Sequence, residues 1–435
     1  MSRNKKLVVS TALAATVGII LAGCTATSPD VEPEQSVTLT EQSVTLTFQT
    51  LDSPDDVIGI QEGVNAWNEA NPGIQVNLET VAPADALATY TRQVAAGDGP
   101  DIAQVFLAQP FRLGGESLAV DLTDLYAASP IGAGFSDAVG AEIVQRDGAV
   151  YGVPWSVDTF ALAYRPELLE AAGIAEFPQT WEDLGDAAER LTADGVSGFC
   201  FPAGTTASAP IWHLINMYLE GQSGSALISG TGDNISSAEA VDLADALGYM
   251  NAFFTRGITP VGQQAVGSGD PAVSKAFEDG ECAIAFLDPF SVISLSASDP
   301  TIRSSAVPAG NAGTFPRVGG RALVMNPNSE APEAAWEFIQ YLTSQEFFDN
   351  YYPRFFPAQK SLLADLGDGA SNPLAGYATQ LAQGRTYGDY ILNVNNEALW
   401  VATMEQFGAV FSGQRTPEQG GDTWKDAIDG VIADS

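Results

Sequence analysis

The sequence predicts an α/β protein of two lobes joined by several chain crossings. Three observations carry this. From Val44 to Phe106, strand-like and helix-like stretches alternate with short turns, which is the signature of a parallel sheet covered by helices. Helical and strand-like segments continue from residue 149 almost to the C-terminus. The chain has 435 residues, room for about two or three domains, yet no long Gly/Ser linker divides it.

The elements follow in order. "MSRNKKLVVSTALAATVGIILAGC" has a basic start, an apolar stretch from Leu7 to Ala22 and small residues before Cys24, the layout of a secretory signal. Its "LAGC" resembles the bacterial lipobox. That resemblance implies cleavage after residue 23, lipidation of Cys24 and attachment to the outer face of the cell membrane by lipid alone. Residues 24–43 are polar, acidic and Pro-containing, and read as a flexible tether.

Within the tether "EQSVTLT" occurs twice in succession, at 34–40 and 41–47. Seven is odd, so one continuous strand would turn the two copies to opposite faces. The second copy runs into Phe48 and the first helix, and is expected to be strand one. The first copy is expected to be spare tether.

"VTLTFQTL" reads as a strand. "SPDDVIGIQEGVNAWNEANPG" reads as a helix capped by Ser53 and stopped by Asn71-Pro72-Gly73, with Val57, Ile60, Val64 and Trp67 facing the sheet. "IQVNLETV" is a strand, "ADALATYTRQVAAGDG" a helix and "DIAQVF" a strand. Around "VYGVPWSVDTFALAY" two strand-like runs flank Pro154. "QTWEDLGDAAERLTADG" is a helix with a capping box from Thr180 to Asp183 and a buried stripe of Trp181, Leu184, Ala188 and Leu191. Helices are expected at 211–220, 238–256 and 271–279. "CAIAFLDPF" reads as a strand entering a loop, and "APEAAWEFIQYLTSQEFFDNYY" as a helix interrupted near Thr343–Ser344. Two further helices, "EALWVATMEQFGAVFSG" and "TPEQGGDTWKDAIDGVI", close the chain.

Composition excludes partners more than it names them. A net charge of −36 repels phosphates, so nucleic acid and anionic membranes are poor partners. The one histidine, His213, has no G-x-S-x-G elbow to serve. HExxH, zinc-spaced cysteines, a P-loop, an EF-hand and a complete dinucleotide fingerprint are all missing, so no metal or cofactor is expected. Paired-carboxylate catalysis stays open, because 54 acidic residues offer many pairs. Cys200 and Cys282 lie in apolar, strand-like runs, where they could form a disulfide or remain two buried thiols.

The order of segments resembles family 1 extracellular solute-binding proteins, the carbohydrate receptors of bacterial ABC importers, over about 44–432. The stretches that carry the likeness are "WNEANPGIQVNLETV", "VAAGDGPDIAQVFLA", "DGAVYGVPWSVDTFALAYRPELLEAAGI", "PQTWEDLGDAAERLT", "AFEDGECAIAFLDPF" and "VGGRALVMNPNSEAPEAAWEFIQYLTS". Asp288 stands where the family often has glycine, and Phe290 where it has tryptophan. The resemblance implies a periplasmic-binding-protein-like fold with hinge strands and ligand in the interlobe cleft. Lobe 1 would be 44–157 plus 305–343, and lobe 2 160–303 plus 345–432. Both cysteines then fall in one lobe, which favours the bridge.

A sugar needs flat aromatic surfaces for its faces and short polar groups, carboxylates especially, for its hydroxyl rim. Trp155 and Asp158 in "GVPWSVDTF" are the leading pair, at the first lobe crossing. Phe290 and Asp288 follow a strand end, where α/β clefts lie. Trp400 occupies the position of a second stacking tryptophan in the family. Asn395 and Asn396 open its helix. Trp212 starts a lobe-2 helix near the expected ligand, and His213 beside it is expected to be structural. Arg321 follows Gly319 and Gly320, where backbone can approach ligand, and could bond hydroxyls or a sugar acid. Asp52 and Gln109 end strands one and three. Trp67, Trp181, Trp336 and Trp424 are expected in the core. The expected function is a monomeric sugar receptor serving an ABC permease. An exported glycoside hydrolase, or a receptor for another solute, is the alternative.

Overall fold

The computed structural model describes residues 43–52, 54–133, 144–205, 210–229, 235–267, 270–352, 356–359, 372–383, 385–386 and 396–433. The signal segment, Cys24, the tether as far as Gln42, the first "EQSVTLT" copy, Ser53 and Asn395 lie outside the described residues.

Val44–Thr47 of the second copy of the repeat open the strand Val44–Thr50. It runs parallel to Ile74–Thr80 on one side and Ile102–Phe106 on the other. Leu46 and Phe48 are fully buried, whereas the outward Thr45 and Thr47 are not. The helix Pro54–Ala70 buries Ile60, Val64 and Trp67 against this sheet, as its apolar spacing requires. The long strand Arg317–Met325 then enters antiparallel between Ile102–Phe106 and Val153–Asp158. Phe356–Pro357 pairs with the outer side of Val153–Asp158.

Pro154 lies within a strand rather than between two. The strand Val153–Asp158 continues through it, with a register shift opposite Arg321 and Ala322. A bulge there accommodates a residue that cannot donate to the ladder.

The second sheet has the order Arg303–Ser305, Ala161–Tyr164, Cys282–Leu287, Ser197–Cys200. Cys200 and Cys282 are disulfide-bonded across its parallel pair, with Cα atoms 6.1 Å apart. The helix Trp181–Leu191 covers it. Thr180 Oγ1 accepts from Asp183 N at 3.1 Å, and Trp181, Leu184, Ala188 and Leu191 are buried. The helices Pro210–Ser223, Ala240–Thr255, Asn396–Phe411 and Pro417–Ala433 complete this side.

The chain passes between the sheets at 159–160 and again between Ser305 and Arg317. A third crossing expected near residue 344 comes later. Ser344 does interrupt the helix, accepting from Phe347 N at 3.2 Å to start Gln345–Tyr351. That second helix still lies on the first-sheet side, against Pro54–Ala70. A Cβ on Gly59 would stand 2.2 Å from Tyr351 O. Phe356–Pro357 also belongs to the first sheet. The helix Ala375–Gln383 packs on Arg303–Ser305 of the second sheet, and Arg385–Thr386 then pairs with Arg317 and Val318 at the start of the long first-sheet strand.

Candidate functional site

The first crossing places charge at the junction of the two sheets. Asp158 ends its strand opposite Gly319, and Arg321 lies two residues further along the partner strand. Arg321 Nη1 is 3.4 Å from Asp158 Oδ2, and its Nε is 3.5 Å from Asp52 Oδ1. Its guanidinium lies over the Phe106 ring, 4.8 Å from the centroid. Burial works against the charge of Arg321, but Asp52 and Asp158 outweigh it and hold the cation firmly. An arginine engaged with two carboxylates is poorly placed to receive a sugar acid.

Asp52 is fixed from the other side. It accepts from Gln104 Nε2 at 2.8 Å and from the Tyr352 hydroxyl. Gln104 is fully buried and also bonds Leu51 N and Thr50 Oγ1. A glutamine inside the apolar run "DIAQVF" was a legible sign of a buried polar network. Tyr352, 300 residues from Asp52 in sequence, gave no such sign.

Asp158 keeps 23% of its side chain exposed. Burial pushes its carboxyl pKa up, Arg321 pulls it down, and Asp288 and Asp52 add to the rise. The carboxyl that remains accessible is therefore a ready hydrogen-bond partner for a neutral polar ligand.

Asp288 does not enter a loop. It caps the helix Pro289–Ser298, accepting from Ser291 N at 2.9 Å and Ser291 Oγ at 2.8 Å. The sequence Asp-Pro-Phe-Ser is a cap, a proline suited to the first turn and a serine in reach of the cap. Phe290, in that first turn, is half-buried. Gln109 likewise works locally, its Oε1 accepting from Phe106 N at 3.0 Å at the start of Gln109–Gly115.

Trp155 is corrected outright. It is 1% exposed, stacked on Tyr352, and its indole N–H donates to Leu342 O at 2.6 Å. The bulge beside Pro154 leaves it inside the first core rather than on an accessible face. Gly320 has φ 141°, and a Cβ there would meet Ser156 O at 2.1 Å. The close approach at Gly320 is thus to the neighbouring strand.

Aromatic rings gather near the crossing on the second-sheet side. Trp212 and Trp400 have ring centroids 6.0 Å apart, and Phe160 lies 5.0 Å from His213. Trp212 is 4% exposed, while Trp400 is half-buried. Burial, helped by the Arg317 charge, lowers the His213 pKa to about 3, so the imidazole is neutral. The Asn396 end of the helix is where the description resumes, and Asn395 falls just before it. Trp67, Trp181, Trp336 and Trp424 are buried as expected. Among the described residues no cluster of three His, Cys, Asp or Glu could hold a metal ion.

The profile of the bacterial extracellular solute-binding protein family matches residues 53–347. The chain belongs to this family. Among relatives, this solute-binding protein is 26% identical over 259 residues to the maltodextrin-binding protein MdxE of Bacillus subtilis, covering 57% of each chain. It is 24% identical over 306 residues to a maltooligosaccharide ABC transporter solute-binding lipoprotein of Streptococcus pneumoniae, covering 66% of each. In structure it is similar to maltose-bound MalE3 of T. maritima, with TM-score 0.76, 20% identity, and coverage of 89% of this chain and 100% of that one. The GacH receptor of Streptomyces glaucescens gives TM-score 0.73 at 20% identity, over 90% and 99% of the two chains. The solute-binding protein thus has the two-lobed α/β architecture of these receptors.

Proposed function

We propose that this solute-binding protein is a lipid-anchored, monomeric receptor on the outer face of the cell membrane. It binds a sugar or oligosaccharide by lobe closure and delivers it to the permease of an ABC importer. It does not turn its ligand over. The observation that carries the reading is the accessible carboxyl of Asp158 at the lobe crossing, backed by Arg321 and influenced by the charge of Asp288. Asp158 supplies the rim acceptor. Phe290 and Trp400, each half-buried, supply the aromatic faces, and Arg321 keeps the carboxylates in place rather than meeting an anionic ligand. The names of the relatives, which bind maltodextrin or maltooligosaccharide, support the same class of ligand.

A thermal-shift screen against neutral mono- and oligosaccharides tests this. Ligand at about 100 times Kd stabilises a two-state binder by about 2.7 kcal/mol. A shift with at least one neutral saccharide is expected. No shift with any of them would sink the sugar reading, and release of cleaved sugar by the pure protein would sink the receptor reading.

A further inference from the structure

Gln380 occupies a position that the ligand reading does not use. It is fully buried on the helix Ala375–Gln383, yet all its bonds go to the two crossings. Nε2 donates to Phe160 O at 2.6 Å and to Thr159 Oγ1 at 3.0 Å, both on the first crossing. Oε1 accepts from Val307 N at 2.6 Å, on the second. Thr159, 1% exposed, donates its hydroxyl to Arg317 O at 2.6 Å, where the second crossing ends. One amide and one hydroxyl thus join residues 159, 160, 307 and 317.

The helix beneath is seated firmly. Gly376 N donates to Ser304 Oγ at 3.0 Å, and a Cβ on Gly376 would stand 2.6 Å from the Ser305 backbone. Tyr377 donates to Leu287 O at 2.8 Å, one residue before Asp288. Arg317 is itself ion-paired with Glu220 of the helix Pro210–Ser223. Both crossings are therefore bound to the second-sheet lobe up to Thr159 on one strand and Arg317 on the other. Beyond them come the pairs Asp158–Gly319 and Val157–Gly320, where Gly320 holds φ 141°, a conformation open to glycine.

We infer that Gln380 and Thr159 form a hinge clasp: it locks the two crossings into one rigid unit with the second lobe and confines bending to the Asp158–Gly319 and Val157–Gly320 pairs. Gln380 is a positioning residue for lobe closure. A hinge is a few residues that absorb the dihedral change, and the clasp decides which ones. Because bending is confined next to Asp158, closure moves the Asp158 carboxyl reproducibly. The inference rests on the reading that the lobes close, but not on the identity of the ligand.

Small-angle X-ray scattering of the unliganded protein tests it with Gln380→Ala, Thr159→Val and Thr159→Ser. Released crossings add bending points, so Gln380→Ala and Thr159→Val are expected to enlarge the radius of gyration and broaden the pair-distance distribution. Thr159→Ser keeps the hydroxyl and is expected to match the wild type. Thr159→Val keeps the side-chain shape and decides the matter if Gln380→Ala does not fold. Scattering from Thr159→Val that superimposes on the wild type, with only the melting temperature lowered, overturns the clasp. The scattering contrast holds whether or not any saccharide binds, so its failure is distinct from failure of the sugar reading.

Discussion

The indole of Trp155 lies flat on the phenol of Tyr352, ring centroids 4.7 Å apart and planes 4° from parallel. Tyr352 in turn donates its hydroxyl to Asp52, and Asp52 faces Arg321. An aromatic core and a charged junction are thus joined through one tyrosine.

Trp155→Ala should therefore damage stability rather than a binding surface. Truncating a buried tryptophan costs about 3–5 kcal/mol, and a drop of that order is expected in urea unfolding. Trp400→Ala, at a half-buried position, should lower stability much less while abolishing the saccharide-induced thermal shift. Equal losses of stability in the two variants would contradict the assignment of Trp155 to the core.

Arg321→Gln leaves Asp52 and Asp158 facing each other without their cation. Breaking such a pair costs about 3 kcal/mol, expected in full at pH 7. The loss should shrink near pH 4. Asp158 has a raised folded pKa, so its contribution is greatest below the unfolded value and is lost as pH rises through the folded one. Urea unfolding at the two pH values gives the comparison. A loss independent of pH would mean that Arg321 acts through packing on Phe106 instead.

The Cys200–Cys282 bridge closes a loop across 82 residues between two fully buried cysteines. Its removal in a Cys200→Ala/Cys282→Ala variant should cost about 2–4 kcal/mol. The melting temperature of the wild type should fall in strong reductant, and that of the double variant should not respond.

His213 gives a pH signature. Its folded pKa is lowered to about 3, chiefly by burial. A depressed folded pKa means stability present above the unfolded value near ~6.5 and lost as pH falls towards the folded one. His213→Gln should flatten the stability profile across that window. NMR of the sole histidine should show a neutral ring at pH 5, and a protonated ring there would refute the burial argument.

The sheets were legible because their strands carry their own signals. Alternation in "VTLTFQT", the Asn-Pro-Gly stop and the Thr180 capping box are local features, and each is where the local rule places it. The late crossing was hidden because the boundary at Ser344 is a cap between two helices of the same lobe. The site was half legible for a related reason. Asp158 and Arg321 were both named from the sequence, but their meeting across a strand pair was not, and whether Trp155 points to core or cleft depends on a bulge beside Pro154. One residue of register decides the face, and no pattern in "GVPWSVD" reveals it.

The strand Arg317–Met325 sits between Ile102–Phe106 and Val153–Asp158, yet it is made long after both. A ribosome that has produced the first 300 residues has made the strands on either side of it without the strand that joins them. Loop-closure entropy must be met before such distant pairings form. The two sides of this sheet are therefore joined only once residues 317–325 have been made.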